Sequence, residues 1–139
     1  MTNELLERLR QALARGPKLR LAILFGSRAR GGARPDSDVD IAILPASSDL
    51  SLMNENRLGA ELERAAGAPV DMIRIDEAPA ALRWRIARDG VVLLSEPARE
   101  ASRFLARAGI EHDDVLELET DAMRRYRAHL AGLAPEPTP

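Results

Sequence analysis

The sequence predicts an α/β fold: a small mixed sheet of about four strands, with helices mainly on one face. Short apolar runs occur at 19–25, 39–44, 70–75 and 91–94. Between and around them lie stretches in which apolar residues recur at helical spacing, and Gly or Pro stands at most of the boundaries. Strands that alternate with amphipathic helices are typical of a sheet covered by helices.

The first predicted helix covers residues 3–15, and Gly16 and Pro17 end it. The second begins near Ser51 or Asp49, either of which can cap it, and ends at about residue 66. We expect the remaining helices at 27–31, 79–87, 95–107 and 113–133. The penultimate helix is expected to stop at Gly109.

The 139 residues are expected to form a single domain over 1–134, with a core at 19–95, C-terminal helices at 96–133 and a disordered tail at 135–139. A net charge of −2 makes a nucleic-acid substrate unlikely. The chain has no Cys, which excludes disulfides and thiolate metal sites. Without a signal-like N-terminus or a membrane-length apolar run, we expect a cytoplasmic protein and no membrane partner.

Gly26 and Ser27 directly follow the first predicted strand. Glycine lets the backbone approach a ligand closely, and a serine at the start of a helix presents its hydroxyl beside free N–H groups. This end of the strand is therefore a candidate phosphate site. Arg28, Arg30 and Arg34 lie in the same stretch, where their positive charge suits a polyphosphate.

Asp38 and Asp40 enter the second predicted strand, although strand interiors normally exclude aspartate. Because side chains alternate along a strand, both carboxylates project from one face, with Cα atoms about 6.6 Å apart. Two such carboxylates repel each other unless a cation lies between them. Mg²⁺ suits this position, since it takes a few carboxylates and completes its coordination with substrate phosphates.

Three other interpretations of this stretch fit less well. A P-loop requires Lys where Gly32 stands. A calcium-binding loop requires Gly where Ile41 stands and Glu where Ser47 stands. A solvated acidic turn accounts for Asp36 and Ser37, but not for the two aspartates inside the strand.

The joint pattern of a strand, Gly26-Ser27, ten residues, Asp38-Val39-Asp40 and a second strand resembles the signature of the polymerase-beta-like nucleotidyltransferase superfamily. The longer sequence pattern at 25–31 and 36–43 is similar to that of the superfamily's minimal nucleotidyltransferase (MNT) branch, whose members are the antitoxins that partner HEPN toxins. The resemblance covers about residues 19–95.

The resemblance implies transfer of AMP from ATP with two Mg²⁺ ions, held by Asp38, Asp40 and a third carboxylate from a neighbouring strand. Asp71, near the beginning of the third predicted strand, matches that third carboxylate, which also helps to deprotonate the attacking hydroxyl. The alternative for Asp71 is a solvent-facing residue after Pro69. The implied nucleotide-binding residues are Gly26, Ser27, Arg28 and Arg30.

The resemblance also implies an acceptor and a partner. It predicts that the chain is an antitoxin that assembles with a HEPN-type toxin as a hetero-oligomer and attaches AMP to its tyrosine hydroxyls. One alternative is transfer to a small hydroxylated molecule such as an aminoglycoside. Another is a binding module that neutralises its partner by steric cover without turnover.

Four further residues carry weaker signals. Arg124 and His129 have the spacing of the Arg and His in the HEPN ribonuclease motif, but we interpret them as part of a solvated or partner-facing charge run. Tyr126 lies nearby and is a candidate for self-modification. Trp84 has the character of a packing residue, with stacking on a base as the alternative.

Overall fold

We analysed the protein as a computed structural model that describes residues 3–29, 38–47 and 50–133, the side chains of 115–120 and 133 excepted. The tail expected at 135–139 lies outside these ranges. The N-terminal helix is followed by two strands, and helices and strands alternate from there to a long C-terminal helix. The elements are α1 (Asn3–Arg15), β1 (Leu19–Phe25), β2 (Val39–Pro45), α2 (Leu52–Ala66), β3 (Val70–Arg74), a short 3₁₀ helix (Ile75–Glu77), α3 (Ala80–Asp89), β4 (Val91–Ser95) and α4 (Glu100–Leu133).

The four strands form one mixed sheet in the order β3-β2-β1-β4. The central strand β1 is antiparallel to β2 and β4, while β3 is parallel to β2. This confirms the predicted α/β class, the strand number and the mixed sheet. The helix expected at 27–31 is a turn over 27–29, and its remaining residues lie outside the described part of the chain.

Helices cover both faces of the sheet, whereas we expected them mainly on one. On the first face, α1 and α2 pack against the sheet through Leu9, Leu13, Leu58 and Leu62, all of which are fully buried. The physical reason lies in β1, whose consecutive apolar residues are buried on alternate sides. Such a run is typical of a strand that is covered on both faces.

The second face is covered by α3 and the beginning of α4. Ile86 of α3 packs in a cluster with Leu21, Ile23 and Ala42 of the central strands, and Phe104 of α4 lies against the same cluster. The site described below lies on this second face. Among the described residues, no helix has both the length and the apolar character that crossing a membrane requires.

The C-terminal helices expected at 95–107 and 113–133 are one continuous helix, α4. Gly109 therefore does not end a helix, because its backbone stays helical, whereas Gly67 ends α2 with a left-handed φ of 66° and Gly90 ends α3 in an extended conformation. Packing holds the junction in helical form. Ala108 is buried, and the ring of His112 stacks on Trp84 of α3 with ring centroids 4.5 Å apart.

Candidate active site

The sheet brings Asp40 and Asp71 side by side. In the register of the strands, Asp40 of β2 lies opposite Asp71 of β3 on one side and opposite Phe25 of β1 on the other. Paired residues on neighbouring strands project from the same face, about 5 Å apart. The parallel pairing of β2 and β3 therefore places the third predicted carboxylate next to the second.

Gly26 begins the turn after β1 and lies directly against Asp40. Its φ of 76° is left-handed, a conformation that other residues rarely adopt. A Cβ added at Gly26 would overlap the Oδ2 atom of Asp40 and would lie 3.2 Å from the Cγ atom of Asp40. Glycine is thus required twice, by the turn itself and by the carboxylate that rests on it.

The carboxyl group of Asp40 lies in a negatively charged, partly buried environment. Asp40 is half-buried, and this burial raises the pKa of its carboxyl above the ordinary value of 3.8; the negative charges of Asp71 and Asp38 raise it further. Asp38 and Asp71 are exposed at the rim. No three acidic, histidine or cysteine side chains of the described residues are gathered closely enough to enclose an ion. Mutual repulsion of the carboxylates is consistent with that spread.

An open pocket of about 460 Å³ lies over this edge of the sheet. It contains Asp40 and Asp71 together with Gly26 and Ser27, so the phosphate-binding and acidic halves of the predicted site share one cavity. Asp38 does not line it and lies at the entry to β2. The lining residues are Phe25, Gly26, Ser27, Asp40, Asp71, Ile73, Leu82, Arg85 and Asp89.

Two charged residues of this pocket, Arg85 and Asp89 of α3, are not among the site residues predicted from the sequence. Together with Leu82 they recur at the spacing of one helix face, and that face is turned toward the pocket. The signal was present in this spacing. It was indistinguishable, however, from an ordinary solvated side of an amphipathic helix until the pairing of β2 with β3 located the aspartates.

The remaining sequence candidates lie elsewhere. Arg28 is half-buried in the turn after Ser27 but does not line the pocket, and Arg30 lies outside the described residues. Trp84 stacks on His112, so its ring packs between helices as we favoured. Along the C-terminal part of α4, Arg124, Tyr126 and His129 are all exposed, and none of the three lines the pocket.

Comparison with known proteins bears on the origin of this arrangement. Residues 7–99 match the family described as polymerase beta, nucleotidyltransferase. The chain belongs to this family. The matched segment extends from α1 through β4 and thus contains every residue that lines the pocket.

Several relatives of this nucleotidyltransferase are similar over most of its length. The protein adenylyltransferase MntA of Aphanizomenon flos-aquae is 29% identical over 125 residues, which is 84% of this chain and 83% of that protein. A crystal structure of a toxin–antitoxin with AMP-PNP has a TM-score of 0.71 at 26% identity and covers 91% of this chain and 99% of its own.

A third relative is the structure of the tri-AMPylated Shewanella oneidensis HEPN toxin in complex with the MNT antitoxin. It matches with a TM-score of 0.59 and 25% identity, over 91% of this chain and 94% of that one. The resemblance predicted from the Gly-Ser and Asp-x-Asp pattern is confirmed by these matches, which include α4 as well as the motif.

Proposed function

We propose that this protein is an adenylyltransferase antitoxin that transfers AMP from ATP to tyrosine hydroxyls of a HEPN-type toxin, with which it forms a hetero-oligomer. The observation that carries the proposal is the shared pocket, in which Asp40 and Asp71 face Gly26 and Ser27. Relatives named as adenylyltransferases, and neighbours described with AMP-PNP and with an AMPylated HEPN toxin, support the choice of nucleotide and acceptor.

Asp40 and Asp71, which are neighbours across the sheet, and Asp38, two residues before Asp40, are the residues that would hold a pair of Mg²⁺ ions. Burial raises the pKa of Asp40, and the further rise caused by the charges of Asp71 and Asp38 indicates a concentration of negative charge that a hard divalent cation would neutralise. When bound, Mg²⁺ neutralises phosphate oxygens and lowers the pKa of an attacking hydroxyl.

The side chains of the pocket divide the remaining work. Gly26 lets the triphosphate approach the backbone, and Ser27 offers its hydroxyl to a phosphate oxygen. Arg85 lines the pocket and supplies positive charge for the negative charge that develops on the phosphates during transfer. Arg28 and Arg30, which follow Ser27 in the sequence, are the other two arginines that we assign to this role.

The acceptor oxygen attacks the α-phosphorus in line with the leaving group. A bond forms between the tyrosine oxygen and the α-phosphorus, and the bond from the α-phosphorus to the bridging oxygen breaks, so that pyrophosphate leaves with both electrons of that bond. The hydroxyl proton passes to Asp71, which is exposed at the rim and therefore accessible to a tyrosine of another protein.

The test is incubation with Mg²⁺ and α-labelled ATP, with the toxin present or absent, followed by the intact mass of both proteins. We expect the toxin to gain AMP. The double variant Asp38→Asn with Asp40→Asn should abolish the gain, because it removes the metal-binding charge without removing bulk. A matched control is Asp113→Asn with Asp114→Asn, which removes two carboxylates of α4 and should transfer normally.

Unchanged transfer in the Asp38/Asp40 variant would refute the proposed site. Loss of transfer with retained neutralisation of the toxin would instead favour steric cover as the means of neutralisation. Absence of transfer to the toxin, with labelling of an added aminoglycoside, would favour a small-molecule acceptor.

A further inference from the structure

A second pocket, of about 420 Å³, lies on the same sheet face as the catalytic pocket but at its other end. Leu44 lines it, four residues beyond Asp40 on the same side of β2, which separates the two positions by about 13 Å. We call it the arginine pocket, because its lining includes four arginines: Arg20, Arg83, Arg103 and Arg107.

The three carboxylates that line the arginine pocket are already paired. The Oε2 atom of Glu100, which is buried, lies 3.0 Å from the Nη2 atom of Arg20. The Oε2 atom of Glu111 lies 2.6 Å from the Nη2 atom of Arg83. Asp76 lies 2.7 Å from Arg74, an arginine outside the pocket lining. No acidic residue of the lining is therefore left over to neutralise further positive charge.

Arg103 and Arg107 lie four residues apart on α4, on the same side of the helix. Within the described residues neither makes a salt bridge or a side-chain hydrogen bond, and two positive charges remain uncompensated. Arg83 also lines the pocket, and its Nε atom is buried without a hydrogen-bond partner among the described residues. A buried N–H without an acceptor costs free energy, so the protein gains stability if the Arg83 side chain turns its Nε toward an incoming oxygen.

We propose that the arginine pocket binds the phosphoryl group of a small phosphorylated ligand, at a site separate from the catalytic pocket. A phosphoryl group carries nearly two negative charges and three acceptor oxygens, which match the two guanidinium groups of Arg103 and Arg107. A single carboxylate supplies one charge and two oxygens and leaves part of the set unmatched. The volume lies within the range of small-ligand sites.

The test is calorimetric titration of the full-length protein with inorganic phosphate and with pyrophosphate, at low ionic strength and with EDTA present to remove divalent cations. We expect saturable binding of one phosphate per chain. Arg103→Gln with Arg107→Gln should weaken it at least about tenfold, since charge-assisted hydrogen bonds are lost. Arg103→Lys with Arg107→Lys should restore part of the affinity.

Two controls separate binding in the arginine pocket from general anion attraction and from binding at the catalytic pocket. Arg124→Gln with Arg125→Gln removes two exposed arginines from the same helix and should bind as the unaltered protein does. Asp38→Asn with Asp40→Asn should also bind phosphate normally, which distinguishes the arginine pocket from the proposed catalytic site. All four variants change exposed or half-buried side chains, and circular dichroism would verify that they fold.

Three results would overturn the proposal. The first is absence of saturable binding. The second is equal weakening by the Arg103/Arg107 and Arg124/Arg125 variants, which would indicate nonspecific attraction of anions. The third is succinate binding as tightly as phosphate, which would point to the acidic side chains of another protein as the occupant.

Discussion

Replacing Gly26 by Ala tests whether the turn proposed to bind phosphate and the proposed catalytic carboxylate of Asp40 form one structural unit. The substitution introduces a Cβ at a left-handed φ of 76°, where it would overlap the Asp40 Oδ2 atom. Gly67→Ala is the matched control. Gly67 has a φ of 66° at the end of α2, but no atom lies within 4 Å of the position of its added Cβ.

The two substitutions share one term and differ in another. Each places an L-residue in the left-handed region, which costs about 1–2 kcal/mol. Gly26→Ala must also rotate the Asp40 side chain away from its present position, for which an off-rotamer cost of about 0.5–1.5 kcal/mol is a reasonable scale. Gly26→Ala should therefore destabilise the protein by about 1.5–3.5 kcal/mol, and Gly67→Ala by about 1–2 kcal/mol.

Urea unfolding of the two variants measures the difference. The steric term is isolated by repeating Gly26→Ala in an Asp40→Ala background, where the overlapping atoms are gone and the extra cost should vanish. In the AMP-transfer assay, Gly26→Ala should lose far more activity than Gly67→Ala, because only the former displaces a carboxylate of the site. Equal losses of stability and unchanged transfer in both variants would refute the contact between Gly26 and Asp40.

Three further predictions follow from other parts of the structure. The folded-state pKa of Asp40 lies above the ordinary value of 3.8, so folding favours the protonated carboxyl group. In EDTA, the stability that protonated Asp40 contributes is therefore present below pH 3.8 and is lost as the pH rises through the folded-state pKa. Asp40→Asn should remove this dependence of the thermal unfolding temperature on pH. If the dependence persists in the variant, another group causes it. Gly109→Ala should stabilise α4 by about 0.5–1 kcal/mol, because alanine loses less conformational freedom than glycine in a helix. The added Cβ would lie 3.8 Å from the Trp84 ring, which is an ordinary van der Waals contact. Destabilisation in urea unfolding would show that the helix is interrupted at this residue. Arg85→Gln should raise the KM for ATP, whereas Arg57→Gln, which changes an exposed arginine of α2 on the opposite face of the sheet, should not; identical kinetics would remove Arg85 from the nucleotide site.

The local parts of the candidate site were predictable from the sequence. Gly26 and Ser27 follow one apolar run, and Asp38 and Asp40 flank Val39 at the beginning of the next, so each departs from the strand pattern at the candidate site. Asp71 was predicted from its place in a third run together with the family resemblance. Its pairing with Asp40 could not be predicted from the sequence, because the register depends on how β2 and β3 meet in space.

The parts that could not be predicted depend on packing between distant elements. Gly109 has the local character of a helix end, yet burial of Ala108 and the stack of His112 on Trp84 keep α4 continuous. Likewise, Arg85 resembles any solvated helix residue until α3 is placed across the sheet. At Gly109, tertiary contacts override a local propensity of about 1 kcal/mol.

The position of α3 explains how one sheet face carries two separate pockets. Ile86 is fully buried against the sheet and Leu82 packs beside it. Arg83 and Arg85 are separated by about 200° around the helix, so they project to opposite sides of this line of contact. Arg85 accordingly lines the catalytic pocket and Arg83 the arginine pocket.

The anchoring of α3 by Ile86 should therefore affect both pockets at once. Ile86→Ala removes a fully buried side chain and should destabilise the protein by about 2–5 kcal/mol. At a temperature where the variant remains folded, we expect weaker ATP binding and weaker phosphate binding together. Leu9→Ala provides the control, since it removes an equally buried side chain from the opposite face and should lower stability by a similar amount while both affinities stay unchanged. Loss of both affinities in Leu9→Ala as well would mean that general loosening of the fold, rather than the placement of α3, controls the two pockets.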